Sequence, residues 1–121
     1  MSLPKLKKKL WILMRDWMRG KIPYCQYCGE TQKILHVHHI VPKARGNGAY
    51  FNVENLLVLC SGCHLGWHVR WTTEEQRTRA IALIGQEQYD RIQNPQDYTR
   101  KMSQGDYEDL IDYYKKKLEA L

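Results

Sequence analysis

Long apolar runs are missing from this 121-residue chain. Nothing in it approaches the roughly 20 apolar residues that a membrane-crossing helix needs. Residues 1–20 carry an amphipathic pattern rather than a continuous apolar core with a small-residue cleavage site, so no secretory leader is expected there. No cysteine is left over: all four fall in two Cys-x-x-Cys pairs, Cys25/Cys28 and Cys60/Cys63. Without an export signal a disulfide framework is disfavoured, and metal thiolates in a reducing cytoplasm are expected. Internal repeats and low-complexity tracts are also missing, which excludes a repeat architecture.

Acidic residues are scarce where the cysteines lie. Residues 1–72 hold 3 Asp/Glu against 11 Lys/Arg, a net +8, whereas residues 73–121 hold 10 against 8, a net −2. The basic part is also the part that carries the motifs. That co-location points to a polyanionic partner, most simply nucleic acid, with a solvated basic surface as the plainer alternative. Length predicts one domain over 1–121. A hydrophobic fraction of 43% suffices for a core, although a chain this small often needs a staple, which a cysteine-bound zinc would supply.

Leu6, Leu10, Leu13 and Trp17, with Met14 and Met18, recur at helical spacing and predict a helix over 5–19, stopped by Gly20 and Pro23. Lys5, Lys7, Lys8 and Lys9 crowd its first turns against the helix macrodipole, which suggests either phosphate contact, with Lys7 and Lys8 as candidates, or a frayed, solvated end. Residues 24–29 read as a tight knuckle, 33–41 as a strand, 43–48 as a flexible loop, 56–59 as a second strand, and 61–71 as a helix. The core therefore reads as a ββα unit over 24–71. Beyond it, 73–121 reads as helical support. One helix runs from a Thr72/Glu75 capping box to near Gly85, and a shorter one from Gln86 to Gln93 stops at Pro95. A plausible linker covers 94–104, and a last helix is capped by Ser103 and Asp106. The Trp67/Trp71 pair is expected in the core, with base stacking as the alternative.

The cysteine spacing is Cys-x2-Cys-x31-Cys-x2-Cys. Each knuckle can present two thiolates to one tetrahedral zinc ion, and the long insert is then closed into a loop by the metal. Four thiolates leave no open position, so Cys25, Cys28, Cys60 and Cys63 are expected to hold a structural Zn²⁺ that does no chemistry. A redox reading of these pairs lacks a thioredoxin-like context.

His64 and His68 lie four apart on the predicted helix and so face one way. His38 on the strand is a candidate third ligand. Three protein ligands leave positions open for water and substrate, as a hydrolytic metal site requires. His39 is read as the general base, since an imidazole titrates near neutrality. Residues 38 and 39 of a regular strand point to opposite faces, so both reach one phosphate only if the strand bends or ends there. Asn55 is expected to tie loop backbone groups and hold His39. His36 is read as structural or exposed.

Together, His-Val-His-His-Ile-Val-Pro-Lys at 36–43 and Glu-Asn-Leu-Leu-Val-Leu-Cys-Ser-Gly-Cys-His at 54–64 resemble the HNH endonucleases of the ββα-metal fold. The likeness covers about residues 24–70 and is greatest to the small HNH proteins encoded by bacteriophages and prophages, often near DNA-packaging genes. It implies an α+β fold with a zinc-framed ββα core and flanking helices, and one-metal hydrolysis of DNA. In that pattern His39 activates water, Asn55 is the middle asparagine, His64 is the last histidine and a ligand, and His38 and His68 are further ligands. His38 stands where a carboxylate is common. An all-histidine set is softer, so the catalytic ion is left open among Mn²⁺, Mg²⁺, Co²⁺, Ni²⁺ and Zn²⁺, with Mg²⁺ expected to bind less well than Mn²⁺, Co²⁺ or Ni²⁺. Lys43, Arg45 and Arg70 are candidate DNA-backbone contacts. One such site cuts one strand per visit, so a monomer is expected to nick.

Two rival readings remain: a zinc-framed DNA-binding module without catalysis, and a packaging accessory that acts with a terminase. For the second, Tyr107, Tyr113 and Tyr114 are a candidate docking face, against the simpler reading of a core-packing helix.

Overall fold

A computed structural model describes residues 1–94 and 101–121. The chain runs through α1 (Leu3–Lys21), β1 (Leu35–His39), a 3-10 turn (Lys43–Arg45), α2 (Asn47–Tyr50), a second 3-10 turn (Val53–Asn55) and β2 (Leu56–Cys60). It continues through α3 (Ser61–Leu65), a π turn (Gly66–Arg70), α4 (Thr73–Ile84), α5 (Gln86–Ile92) and α6 (Gln104–Glu119). The expected α+β class, with two strands followed by a helix and helices at either end, is what the chain forms.

β1 and β2 pair antiparallel, with Leu35 opposite Cys60, His36 opposite Leu59 and His38 opposite Leu57. Every residue of β2 is buried, and strand alternation sends its side chains to two different cores. Leu56 and Val58 join Leu6, Leu10, Met14 and Met18 of α1 and Tyr107, Ile111 and Tyr114 of α6. Leu57 and Leu59 turn the other way, to Cys25, Trp67 and Ala80. The hairpin is thus a middle layer between the α1/α6 pair and the α3/α4 side. Burial on both faces explains why β2 reads as an unbroken apolar run, Leu-Leu-Val-Leu.

Both capping boxes form. The Thr72 hydroxyl accepts from the Glu75 N–H, and the Glu75 carboxylate accepts from the Thr72 N–H. Ser103 and Asp106 do the same for α6.

Several local expectations are corrected. Residues 43–48 are not an open loop: they fold into the 3-10 turn and the start of α2, because the N–H groups of Ala49 and Tyr50 both find the Gly46 carbonyl. The helix expected over 61–71 changes to π geometry at Gly66, where the Trp71 N–H reaches back to the Gly66 carbonyl at 2.9 Å. A Cβ on Gly66 would sit 3.1 Å from the Trp71 ring, so glycine admits the close approach. Tyr107 and Tyr114 are buried in the α1/α6 core and only Tyr113 is exposed, which removes the tyrosine docking face. Trp67 is core, as expected. Most of the 94–104 linker, and the stop at Pro95, lie outside the described residues. Among the described residues no helix is long and apolar enough to cross a membrane.

Candidate active site and metal centres

The first knuckle docks on β2 as a short extra strand would. The Gln26 N–H donates to the Val58 carbonyl, and the Val58 N–H donates to the Gln26 side-chain oxygen, both at 2.8 Å. Gly29, at φ +79°, lets the chain turn back so that its N–H reaches the Cys25 carbonyl. Docking brings Cys25 and Cys28 against Cys60 and Cys63, with one sulfur from each within 4.8 Å of the others. The Cys28 and Cys60 sulfurs are 3.7 Å apart. Two ligands of a tetrahedral zinc with bonds of about 2.3 Å stand roughly 3.8 Å apart, so the cluster fits that ion. Without a cation, burial and then the neighbouring sulfurs push the Cys63 thiol well above its usual value. A divalent ion removes that conflict by taking the thiolate form.

On the α3 side of β1 a second cluster forms. His38, His64 and His68 each place one ring nitrogen within 4.8 Å of the others. Nε2 of His64 and Nε2 of His68 are 3.0 Å apart. His38 is only 3% exposed, and its Nε2 has no hydrogen-bond partner among the described residues. A buried, unpaired imidazole nitrogen is costly unless it serves a ligand. Its position beside two more imidazoles fits a divalent metal. Burial, and then the charge that His64, His68 and His39 would carry, pull His38 down to about 3. Burial also brings His64 down to about 4, with His68 and His36 adding to it. His38 and His64 are therefore held neutral, the form that ligates.

His39 faces the other way, towards α1. Its ring lies 4.7 Å from that of Trp11, and its Nε2 is 3.0 Å from the Tyr50 carbonyl oxygen. A carbonyl only accepts, so Nε2 must carry the proton. In the neutral ring that leaves Nδ1 as a free acceptor. Burial lowers the pKa of His39, the Tyr50 bond opposes this, and Lys43 adds to the lowering.

Ala49, the residue before Tyr50, is held by Asn55, which is 1% exposed. The Asn55 side-chain oxygen accepts from the Val41 N–H at 2.8 Å. Its amide donates to the Val41 and Ala49 carbonyls, both at 2.9 Å. One side chain therefore clamps both ends of the 41–49 segment, next to the residue that orients His39.

β1 ends at His39, and its last two residues face opposite sides, His38 to His64 and His68 and His39 to Trp11 and Tyr50. A cleft of about 670 Å³ wraps the strand end, and all five histidines of the chain line it. Lys43 lines it too, as do Trp11, Arg15 and Arg19 of α1. The other expected backbone contacts do not. Arg45 lines a separate cleft beside α4 and α5. Arg70 donates to the Gly62 carbonyl at the start of α3. Lys7 and Lys8, about one turn before Trp11 on α1, are not among the residues that line it. Arg15 and Arg19 escaped notice because nothing local marks them: both bond Asp16, and only the tertiary placement of α1 brings them here.

Fold and site together define a class: a ββα unit framed by a thiolate cluster, with an imidazole cluster at the strand end. The family model described as HNH endonuclease matches residues 25–70, the segment that contains the hairpin, both cysteine pairs and all five histidines. Residues 25–70, somewhat over a third of the chain, are thus similar to HNH endonucleases. No curated protein and no solved structure matches the chain.

Proposed function

We propose that this protein is a metal-dependent DNA endonuclease that nicks one strand per event. The observation that carries this is the cleft at the end of β1, with a three-histidine cluster on one wall, its buried His38 Nε2 without a partner among the described residues, and an oriented, proton-accepting imidazole on the other. His38, His64 and His68 would hold one divalent ion, which supplies Lewis-acid stabilisation of the scissile phosphate and of the leaving 3′ oxygen. His39 takes the proton of the attacking water at Nδ1, because Nε2 is committed to Tyr50. Asn55 does not touch the substrate; it clamps Val41 and Ala49, the latter next to the Tyr50 that bonds His39. Lys43, Arg15 and Arg19 position the backbone through charge, which adds affinity and little sequence discrimination. The expected ends are 5′-phosphate and 3′-hydroxyl. The four cysteines hold a zinc that only frames the site.

The test is cleavage of supercoiled plasmid with Mg²⁺, Mn²⁺, Co²⁺ and Ni²⁺ added separately. Wild type is compared with His39→Ala and with a chelated control. Metal-dependent nicking that disappears in His39→Ala supports the reading. Plasmid binding without cleavage in any metal instead favours a non-catalytic DNA-binding module.

A further inference from the structure

His36 stands two residues before His38 on β1, so both side chains face α3. Its Nδ1 lies 2.8 Å from Nδ1 of His64, with the two rings edge to face at 83°. His36 is not one of the three residues whose ligand atoms group within 4.8 Å. It touches a ligand without being one.

Two imidazole nitrogens at that distance share one proton, so one donates and the other accepts. If His36 were the donor, His64 would carry its own proton on Nε2, the atom that faces His68, and could not ligate through it. If His64 donates from Nδ1, its Nε2 lone pair is bare and turned into the cluster. Only the second assignment is compatible with a metal among His38, His64 and His68.

We propose that His36 is a positioning residue for His64: it accepts the Nδ1 proton of His64, fixes that tautomer and ring orientation, and so readies Nε2 for the metal. This rests on the reading of the histidine cluster as a metal site. Imidazole ligands usually donate their second nitrogen to an acceptor, and loss of the acceptor typically costs 10–100-fold in affinity. Here the acceptor stands two residues from another candidate ligand, His38, on the same strand, so β1 serves the metal twice.

The experiment is Ni²⁺ titration by calorimetry on protein that retains its cysteine-bound zinc, using wild type, His36→Ala and His36→Asn. The Asn side chain places an acceptor near the position of Nδ1. Wild type should take up one Ni²⁺, His36→Ala should bind about 10–100-fold more weakly, and His36→Asn should recover most of the loss. Nitrogen-15 NMR of wild-type histidines, with diamagnetic Zn²⁺ in the site, gives a second readout that needs no variant. It should show His64 protonated on Nδ1 and His36 on Nε2. Equal affinity in His36→Ala, or a His64 proton on Nε2, overturns the role of His36 alone. Failure of wild type to bind any Ni²⁺ overturns the metal site, and this proposal with it.

Discussion

Trp11 covers His39 with ring centroids 4.7 Å apart and a 32° tilt. The contact joins α1, which lies outside the family-matched segment 25–70, to the imidazole assigned as base. Tyr50 closes the other side, 5.6 Å from Trp11 and 5.5 Å from His39. A ring held between two aromatic neighbours and a carbonyl has little freedom to turn.

Trp11→Ala should therefore lower kcat more than DNA affinity. A loss of about 10–100-fold is expected, since misplacement of a reacting group by an ångström costs on that order. Trp11→Phe should keep most of the activity. Single-turnover nicking at saturating DNA measures this, and an unchanged rate in Trp11→Ala would show that α1 plays no part in orienting the base.

Asn55 spends its whole side chain on Val41 and Ala49. Asn55→Ala strands three buried backbone groups, at about 1–3 kcal/mol each where water cannot reach them. Partial relaxation should leave a net loss of about 3 kcal/mol. Asn55→Asp should also destabilise, because a carboxylate faces two carbonyl oxygens that it cannot bond. Urea unfolding checks both, and a wild-type midpoint in either variant would contradict the clamp.

Much of this architecture was legible in the sequence because it follows from local rules. The apolar spacing of α1, the unbroken Leu-Leu-Val-Leu of β2 and the two capping boxes each carry their own physical signal. The four-cysteine cluster and the His64/His68 pair were legible from spacing, Cys-x-x-Cys twice and His64-x-x-x-His68. What stayed hidden depends on contacts between distant segments. His36 looked idle because its partner lies 28 positions away on α3. Trp11, Arg15 and Arg19 looked like ordinary helix residues until α1 packed across the hairpin. The 43–48 segment looked flexible from its glycines, yet Asn55 gathers it into short helical turns.

The histidine cluster sets an acid limit. His38 sits at about 3, against its usual 6.5, so the folded protein holds it neutral while the unfolded chain takes up a proton below pH 6.5. The unfolded state binds more protons there, and stability falls as pH drops. The loss approaches about 1.4 kcal/mol per pH unit for one full proton. Half-buried His64 is shifted the same way and contributes a smaller, solvent-screened share. His38→Gln should be less stable than wild type at pH 7.5 and should lose less on going to pH 5. Urea midpoints over that range decide it, the thiolate cluster being common to both proteins. Parallel slopes would mean that His38 is not held neutral. The acid limb of nicking should likewise lie below the ordinary histidine range, because burial also lowers His39 and a base with a lowered pKa stays competent further into acid.

The cysteine cluster joins segments separated by 31 intervening residues, and its loss should unmake the site rather than slow it. Cys60 ends β2 and is 2% exposed, and its sulfur meets that of Cys28. Cys60→Ala removes one ligand and leaves the first knuckle held on β2 mainly by the two Gln26–Val58 hydrogen bonds. Structural zinc is worth about 10 kcal/mol or more of binding free energy in small zinc domains, a sum comparable to the whole stability of a small domain. The variant should therefore lose zinc and cooperative unfolding together, and lose nicking with them. His39→Ala should keep its zinc and its unfolding transition and lose only nicking. Metal content by mass spectrometry, paired with thermal unfolding of the two variants, separates the frame from the chemistry. Full zinc content and a sharp transition in Cys60→Ala would show that the cysteines are dispensable to the fold.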